Sequence, residues 1–230
     1  MKEEILSFLE VRESNKAKRP KLNYSKGSFT VVKPEGLEID KDSMVESNLE
    51  WFEKYLDKAR GYREQVPDRS FEQGEIFSVL GDEKEVIVEK RRSNKVGDDI
   101  FLARHLVERT SLKDQLEKAL RDFAREVFER KASEYVCRVD GGFNRIFIRD
   151  QKTRWGSCSS KSNLNFNWRL ILGPEEVLDY VVVHELVHLE IKNHSKEFER
   201  RVKEILPNSS ESEKWLEENS GKLVFDPNFD

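Results

Sequence analysis

Three of the chain's four histidines lie within eleven residues: His184 and His188 in the segment His184-Glu185-Leu186-Val187-His188, then His194. On a helix, positions four apart share a face, so His184 and His188 can grip one metal ion between them. Glu185 projects beside them, where a carboxylate can take a proton from a water that the ion has made acidic. His194 follows after a five-residue gap and can supply a third nitrogen from a returning turn. Glu190 and Glu197 compete with it as oxygen ligands. Three protein ligands leave one coordination position open, which separates catalytic from structural zinc. The expectation is one Zn2+ per chain.

The element carrying the motif supports this chemistry. Val177-Leu178-Asp179-Tyr180-Val181-Val182-Val183, continued by Leu186, Val187, Leu189 and Ile191, makes the most apolar helix of a polar chain. The plain alternative is a core helix with two ordinary histidines. An unpartnered Glu185 in such a helix costs several kcal/mol or is forced neutral, and a dication beside it removes that penalty. Gly173-Pro174 stops the preceding strand, and Glu175 and Glu176 suit the helix's positive end. Lys192 and Asn193 suit a C-terminal turn, and Ser195 is a good N-cap for a second helix bearing Phe198, Val202, Ile205 and Leu206. That corner matters. Continued as one helix, six residues beyond His188 amount to about 600° of rotation, which puts His194 on the far side.

Other residues near the motif carry weaker signals. Tyr180, one turn before His184, is either an oxyanion partner or core packing. Arg154 is either a substrate contact or half of a structural ion pair. Cys158 is superfluous as a ligand beside three histidines, and Trp155 and Gly156 shape a turn. Asn163 to Leu170 alternates polar and apolar residues, a half-buried strand. As an edge strand it can pair with an extended peptide; as a core strand it merely has a polar outer face.

Upstream, the first fifteen to twenty residues are charged and read as a frayed end. Lys21–Tyr24, Gly27 and Ser28–Val32 suggest a hairpin. Ser43 to Glu64 reads as one helix through Val45, Leu49, Phe52 and Leu56. Phe77–Leu80 and Val86–Val88 flank a Gly81-Asp82 turn. Lys90-Arg91-Arg92-Ser93-Asn94-Lys95 is either a phosphate patch or a solvated hairpin loop, the latter favoured because no aromatics interleave. His105 reads as a surface residue. Leu112 to about Val139 is a long amphipathic helix ended by Gly141-Gly142, with a strand at Arg145–Arg149.

Composition sets outer bounds. The 230 residues suffice for one large domain or two small ones. A net charge of −4 and a mean hydropathy of −0.75 argue against non-specific nucleic-acid binding, and no apolar run is long enough for a membrane span. The start lacks the apolar core of a signal peptide, and Cys137 and Cys158 read as reduced thiols, so a cytoplasmic protein is expected.

The segments Arg154–Ser159, Asn165–Leu170, Leu178–His188 and Asn193–Ser195 together resemble the YgjP-like metallopeptidase family, which is related to the SprT-like and WLM zinc peptidases. The likeness is specific from about Thr153 to Phe198 and one of layout only upstream. It implies zinc held by His184, His188 and His194, with Glu185 as general base. The expected fold class is therefore α+β: a zincin-like catalytic part over 111–230, its motif helix beside a small antiparallel or mixed sheet, after a β-rich region over 1–110 with one or two helices. The expected activity is metal-dependent hydrolysis of peptide bonds in a peptide or protein. A zinc phosphohydrolase acting on nucleotides, with Arg154, Lys152 and the loop near Arg91 as phosphate contacts, is the alternative. A non-enzymatic interaction protein with a structural metal comes third, and Glu185 speaks against it.

Overall fold

The computed structural model describes residues 1–151 and 153–227. The chain forms two compact units, Met1–Val66 with Asn219–Gly221, and Pro67–Glu218 with the described residues after Gly221.

In the first unit, helix α1 (Lys2–Ser7) leads into strands β1 (Leu9–Glu13), β2 (Lys21–Ser25) and β3 (Ser28–Lys33), followed by helices α2 (Lys41–Ser47) and α3 (Leu49–Gln65). The sheet has the order β1-β3-β2 and is mixed: β1 runs parallel to β3 and β2 antiparallel. The end expected to fray is thus ordered. Ile5 and Leu9 enter a core with Phe29, Val31, Val45, Phe52, Leu56 and Ala59, and apolar burial outweighs the charge of the segment around them. The β2–β3 hairpin forms as expected. Its turn needs glycine twice over: Gly27 has φ +68, and a Cβ there would lie 2.5 Å from the Tyr62 ring. The single helix expected from Ser43 to Glu64 is two, because Asn48 leaves helical geometry (φ −131, ψ 27) and returns its side-chain amide to the Met44 carbonyl.

The second unit begins with β4 (Ile76–Val79), β5 (Asp82–Glu89), β6 (Lys95–Val96) and β7 (Ile100–Ala103), ordered β4-β5-β7-β6. A short helix, α4 (Arg104–Val107), precedes the long α5 (Leu112–Tyr135), which Ser111 caps by accepting from the Asp114 amide. Next come β8 (Arg145–Arg149), β9 (Gly156–Cys158) and β10 (Asn163–Asn167), then α6 (Glu175–Val187), α7 (Lys196–Ile205) and α8 (Ser209–Asn219). The fold is α+β, with small mixed sheets. The boundary expected at 110/111 falls inside this unit, because Phe77, Val79, Val86, Ile100 and Leu102 share one core with Leu116 and Leu120 of α5. The basic loop between β5 and β6 is pinned by Asn94, whose side chain accepts from the Ala103 amide and donates to Gln115.

Two expectations near the motif change. The turn-rich segment after Arg154 contains a short strand, β9. The alternating strand ends at Asn167, and Trp168–Leu172 coils into a 3-10 helix whose Trp168, Leu170, Ile171 and Leu172 are all buried. Asn167 caps it by accepting from the Arg169 amide. Moreover, β10 is the central strand of β8-β10-β9, parallel to β8 and antiparallel to β9. Both of its edges are paired, so an incoming peptide cannot add to it. Phe166 of β10 stacks on Phe128 of α5 with ring centroids 4.5 Å apart, both side chains fully buried. Phe128→Ala should cost about 3–5 kcal/mol in urea unfolding of the metal-free protein, and a loss below about 1 kcal/mol would show that the sheet does not depend on this contact. Among the described residues no helix is long and apolar enough to cross a membrane.

Candidate metal centre

Helix α6 is buried on most of its circumference, from Val177 to Val187. Across to α5, Lys131 holds it through Asp179 at 2.8 Å and Glu175 at 2.8 Å. The helix ends at Val187, with His188 as its C-cap residue, a turn earlier than the Lys192-Asn193 expected from sequence. Lys192 still serves that end: its ammonium donates to the His188 carbonyl at 2.6 Å. The chain then turns and restarts at α7, where Ser195 accepts from the Phe198 amide. His194 sits in the corner between the two helices.

The corner brings the three imidazoles together. Nε2 of His194 lies 3.0 Å from Nε2 of His184 and 3.2 Å from Nε2 of His188. Tetrahedral zinc with bonds of 2.0–2.1 Å places its nitrogen ligands roughly 3.3 Å apart, so the three fit one ion. The Nδ1–H of His188 donates to the Ile191 carbonyl at 2.9 Å, which leaves Nε2 as the bare nitrogen facing the cluster. Phe198, only 3% exposed, packs against all three rings at 4.5–4.9 Å between centroids. Burial, and then the neighbouring His188 and His194, push His184 down to about 4. Burial likewise lowers His188. Neutral imidazoles are what a metal requires. Among the described residues, these three form the group of metal-ligating side chains that can close on one ion.

Glu185 is 5% exposed. Burial pushes its carboxyl up to about 7, opposed by a hydrogen bond from the Cys158 N–H and by the charge of Arg154. Its Oε2 is buried with no hydrogen-bond partner. A buried carboxylate oxygen left without a partner, on the residue after a candidate ligand, is suited to accept a proton. Its side chain also lies against the backbone of Gly156 in β9. Nothing in the sequence signalled that contact, since a glycine among turn formers reads as a turn residue. The Ile191 carbonyl that orients His188 was equally invisible, because any residue type presents one.

The remaining candidates fall into place around this centre. Tyr180 is 8% exposed and its ring edge meets His184 at 5.7 Å. Its hydroxyl hydrogen-bonds Glu213 of α8, and burial, then that carboxylate, raise its pKa. Arg154 is exposed and near enough for its charge to act on Glu185. Glu190 is turned away, paired with Arg201 at 3.1 Å and accepting the Asp140 amide; Glu197 is exposed in the first turn of α7. Cys158 is half-buried, its thiol raised chiefly by burial, and Cys137 is exposed; both are free. His105 is exposed, beside Lys90, Arg91, Arg104 and Glu108 at an open groove of about 590 Å3. Lys152 lies outside the described residues.

A family model described as "YgjP-like, metallopeptidase domain" matches residues 18–219. Two solved structures, both metallopeptidase zymogens, are similar to part of the chain. Pyrococcus abyssi abylysin is 22% identical over 40% of this chain and 90% of its own, with a TM-score of 0.34. Methanocaldococcus jannaschii jannalysin is 25% identical over 44% of this chain and 97% of its own, also at 0.34. No curated protein matches the chain.

Proposed function

The chain belongs to the YgjP-like metallopeptidase family, and from that premise we propose a zinc-dependent peptidase in which His184, His188 and His194 hold one ion and Glu185 is the general base. One observation carries this reading above the others: three Nε2 atoms converge beside a buried carboxylate with an oxygen to spare. When bound, zinc would supply a Lewis acid that polarises the scissile carbonyl and brings the pKa of water toward 7.

The protein residues do the rest. Glu185 takes the proton of the attacking water and returns it to the leaving amine, a role suited to a buried carboxylate with one oxygen unpartnered. The Ile191 carbonyl keeps His188 in the tautomer that offers Nε2. Phe198 closes the underside of the three rings and keeps water from that face. Arg154, exposed and within electrostatic reach of Glu185, is assigned to substrate. Tyr180 is assigned to the wall behind His184, where its hydroxyl, engaged by Glu213, is less ready to meet an oxyanion.

The test is a substrate panel. Unfolded proteins, peptides and nucleoside triphosphates are each incubated with the zinc-loaded protein, with and without chelator. Peptide-bond cleavage that chelator abolishes and added zinc restores is the expected result. Phosphate release in its place would overturn the peptidase reading in favour of a phosphohydrolase. A protein inert on every substrate, yet unfolded by chelator, would make the metal structural.

A further inference from the structure

Glu185 does not reach its position by helix geometry alone; β9 receives it. A Cβ built on Gly156 would stand 2.6 Å from Glu185 Oε1, 2.7 Å from Cγ and 3.0 Å from Cδ. Side-chain atoms do not coexist at such distances, and a 5%-exposed side chain has little room to retreat. The backbone itself does not ask for glycine here, since Gly156 is absent from the positive-φ positions. Space for Glu185 is the constraint. Two residues on, the Cys158 N–H hydrogen-bonds the Glu185 carboxylate. Oε2 is left without a partner.

The strand that does this is held in turn. Gly156 pairs with Phe166 and Cys158 with Leu164 across β10. Phe166 is stacked on Phe128, and the Asn165 side chain donates to the Ser157 carbonyl at 3.3 Å. Support thus runs from the core helix α5, through two strands, to one carboxylate. We propose that Gly156 and the Cys158 backbone amide are positioning groups for Glu185: the bare glycine makes room for its carboxylate, and the amide engages it so that Oε2 is the oxygen free to act. The assignment deepens the peptidase reading and rests on Glu185 being its general base.

Gly156→Ala tests it. The variant should keep one zinc per chain and hold KM within about twofold, while kcat falls about 100-fold, the scale that a misplacement of about 1 Å carries. A second readout needs no metal and no substrate. In the metal-free protein the Cys158 amide proton resonance should move in Glu185→Gln, and move likewise in Gly156→Ala. A third guards against misfolding: Gly156→Ala should lower thermal stability in the native background and be nearly neutral in a Glu185→Ala background, where the obstructing side chain is gone. Equal destabilisation in both backgrounds, or failure of the double variant to fold when Glu185→Ala folds, overturns the proposal. So does an unchanged kcat in Gly156→Ala while Glu185→Gln is inactive. An active Glu185→Gln would instead remove the general-base reading, and with it the catalytic half of this one, while the stability cycle still reports the packing.

Discussion

Glu185→Gln is expected to retain one zinc per chain and to lose about 10²–10⁴-fold in kcat, the range a positioned general base supplies. The substitution keeps the shape of the side chain and removes only its capacity to accept a proton. It also relieves the fold. In the metal-free chain burial raises the Glu185 carboxyl to about 7, so ionising it costs more there than in the unfolded chain, and a neutral amide carries no such cost. A fall in activity therefore cannot be blamed on unfolding if metal content and melting temperature are measured on the same sample. Because the loss concerns proton transfer and not substrate contact, KM should change little. Wild-type kcat in the variant would exclude Glu185 as the base.

His194→Ala should strip the metal. The residue is exposed in the turn between α6 and α7, so its truncation leaves no cavity in the core and the fold should persist by circular dichroism. Two imidazoles, His184 on α6 and His188 at its C-cap, would remain, too few for a closed chelate. Zinc affinity should fall by more than the roughly 10–100-fold that loss of an outer-shell partner costs, leaving well under one zinc per chain after dialysis and no chelator-sensitive cleavage. Glu197→Ala is the matching control in the same corner and should keep its zinc. Full zinc retention by His194→Ala would remove His194 from the ligand set. Glu190, already committed to Arg201, is not available to replace it without breaking that pair.

Much of the frame around the site was legible in the sequence because it rests on short-range rules. The β2–β3 and β4–β5 hairpins, the long helix α5, the apolar helix α6 and the amphipathic α7 each announce themselves through periodicity or turn chemistry within a few residues. The Ser195 cap did the same, and with it the corner that returns His194. Where the reading erred, the deciding partner was distant. The N-terminal segment is ordered by a parallel pairing of β1 with β3, Leu9 against Phe29, which no local pattern encodes. The short strand β9 exists because β10 lies beside it, and β10 is central because β8, from the other side of the turn, pairs parallel with it. Trp168 and Leu170 continue the alternation of a strand, yet burial on all sides coils them into a 3-10 helix.

The same division runs through the site. Residue types and spacing alone pointed to the proposed ligand set and base: histidines four apart share a helical face, a capped restart turns a third one back, and a carboxylate on the most apolar helix needs a cation near it. Tertiary structure alone decided which nitrogens converge and which carboxylate oxygen is left over. The Ile191 carbonyl selects Nε2 of His188, and β9 takes up the Glu185 carboxylate through a glycine and a backbone amide while Oε2 stays unpartnered. Such choices are made by backbone groups, which every residue carries alike, and so they become visible only when the chain has folded.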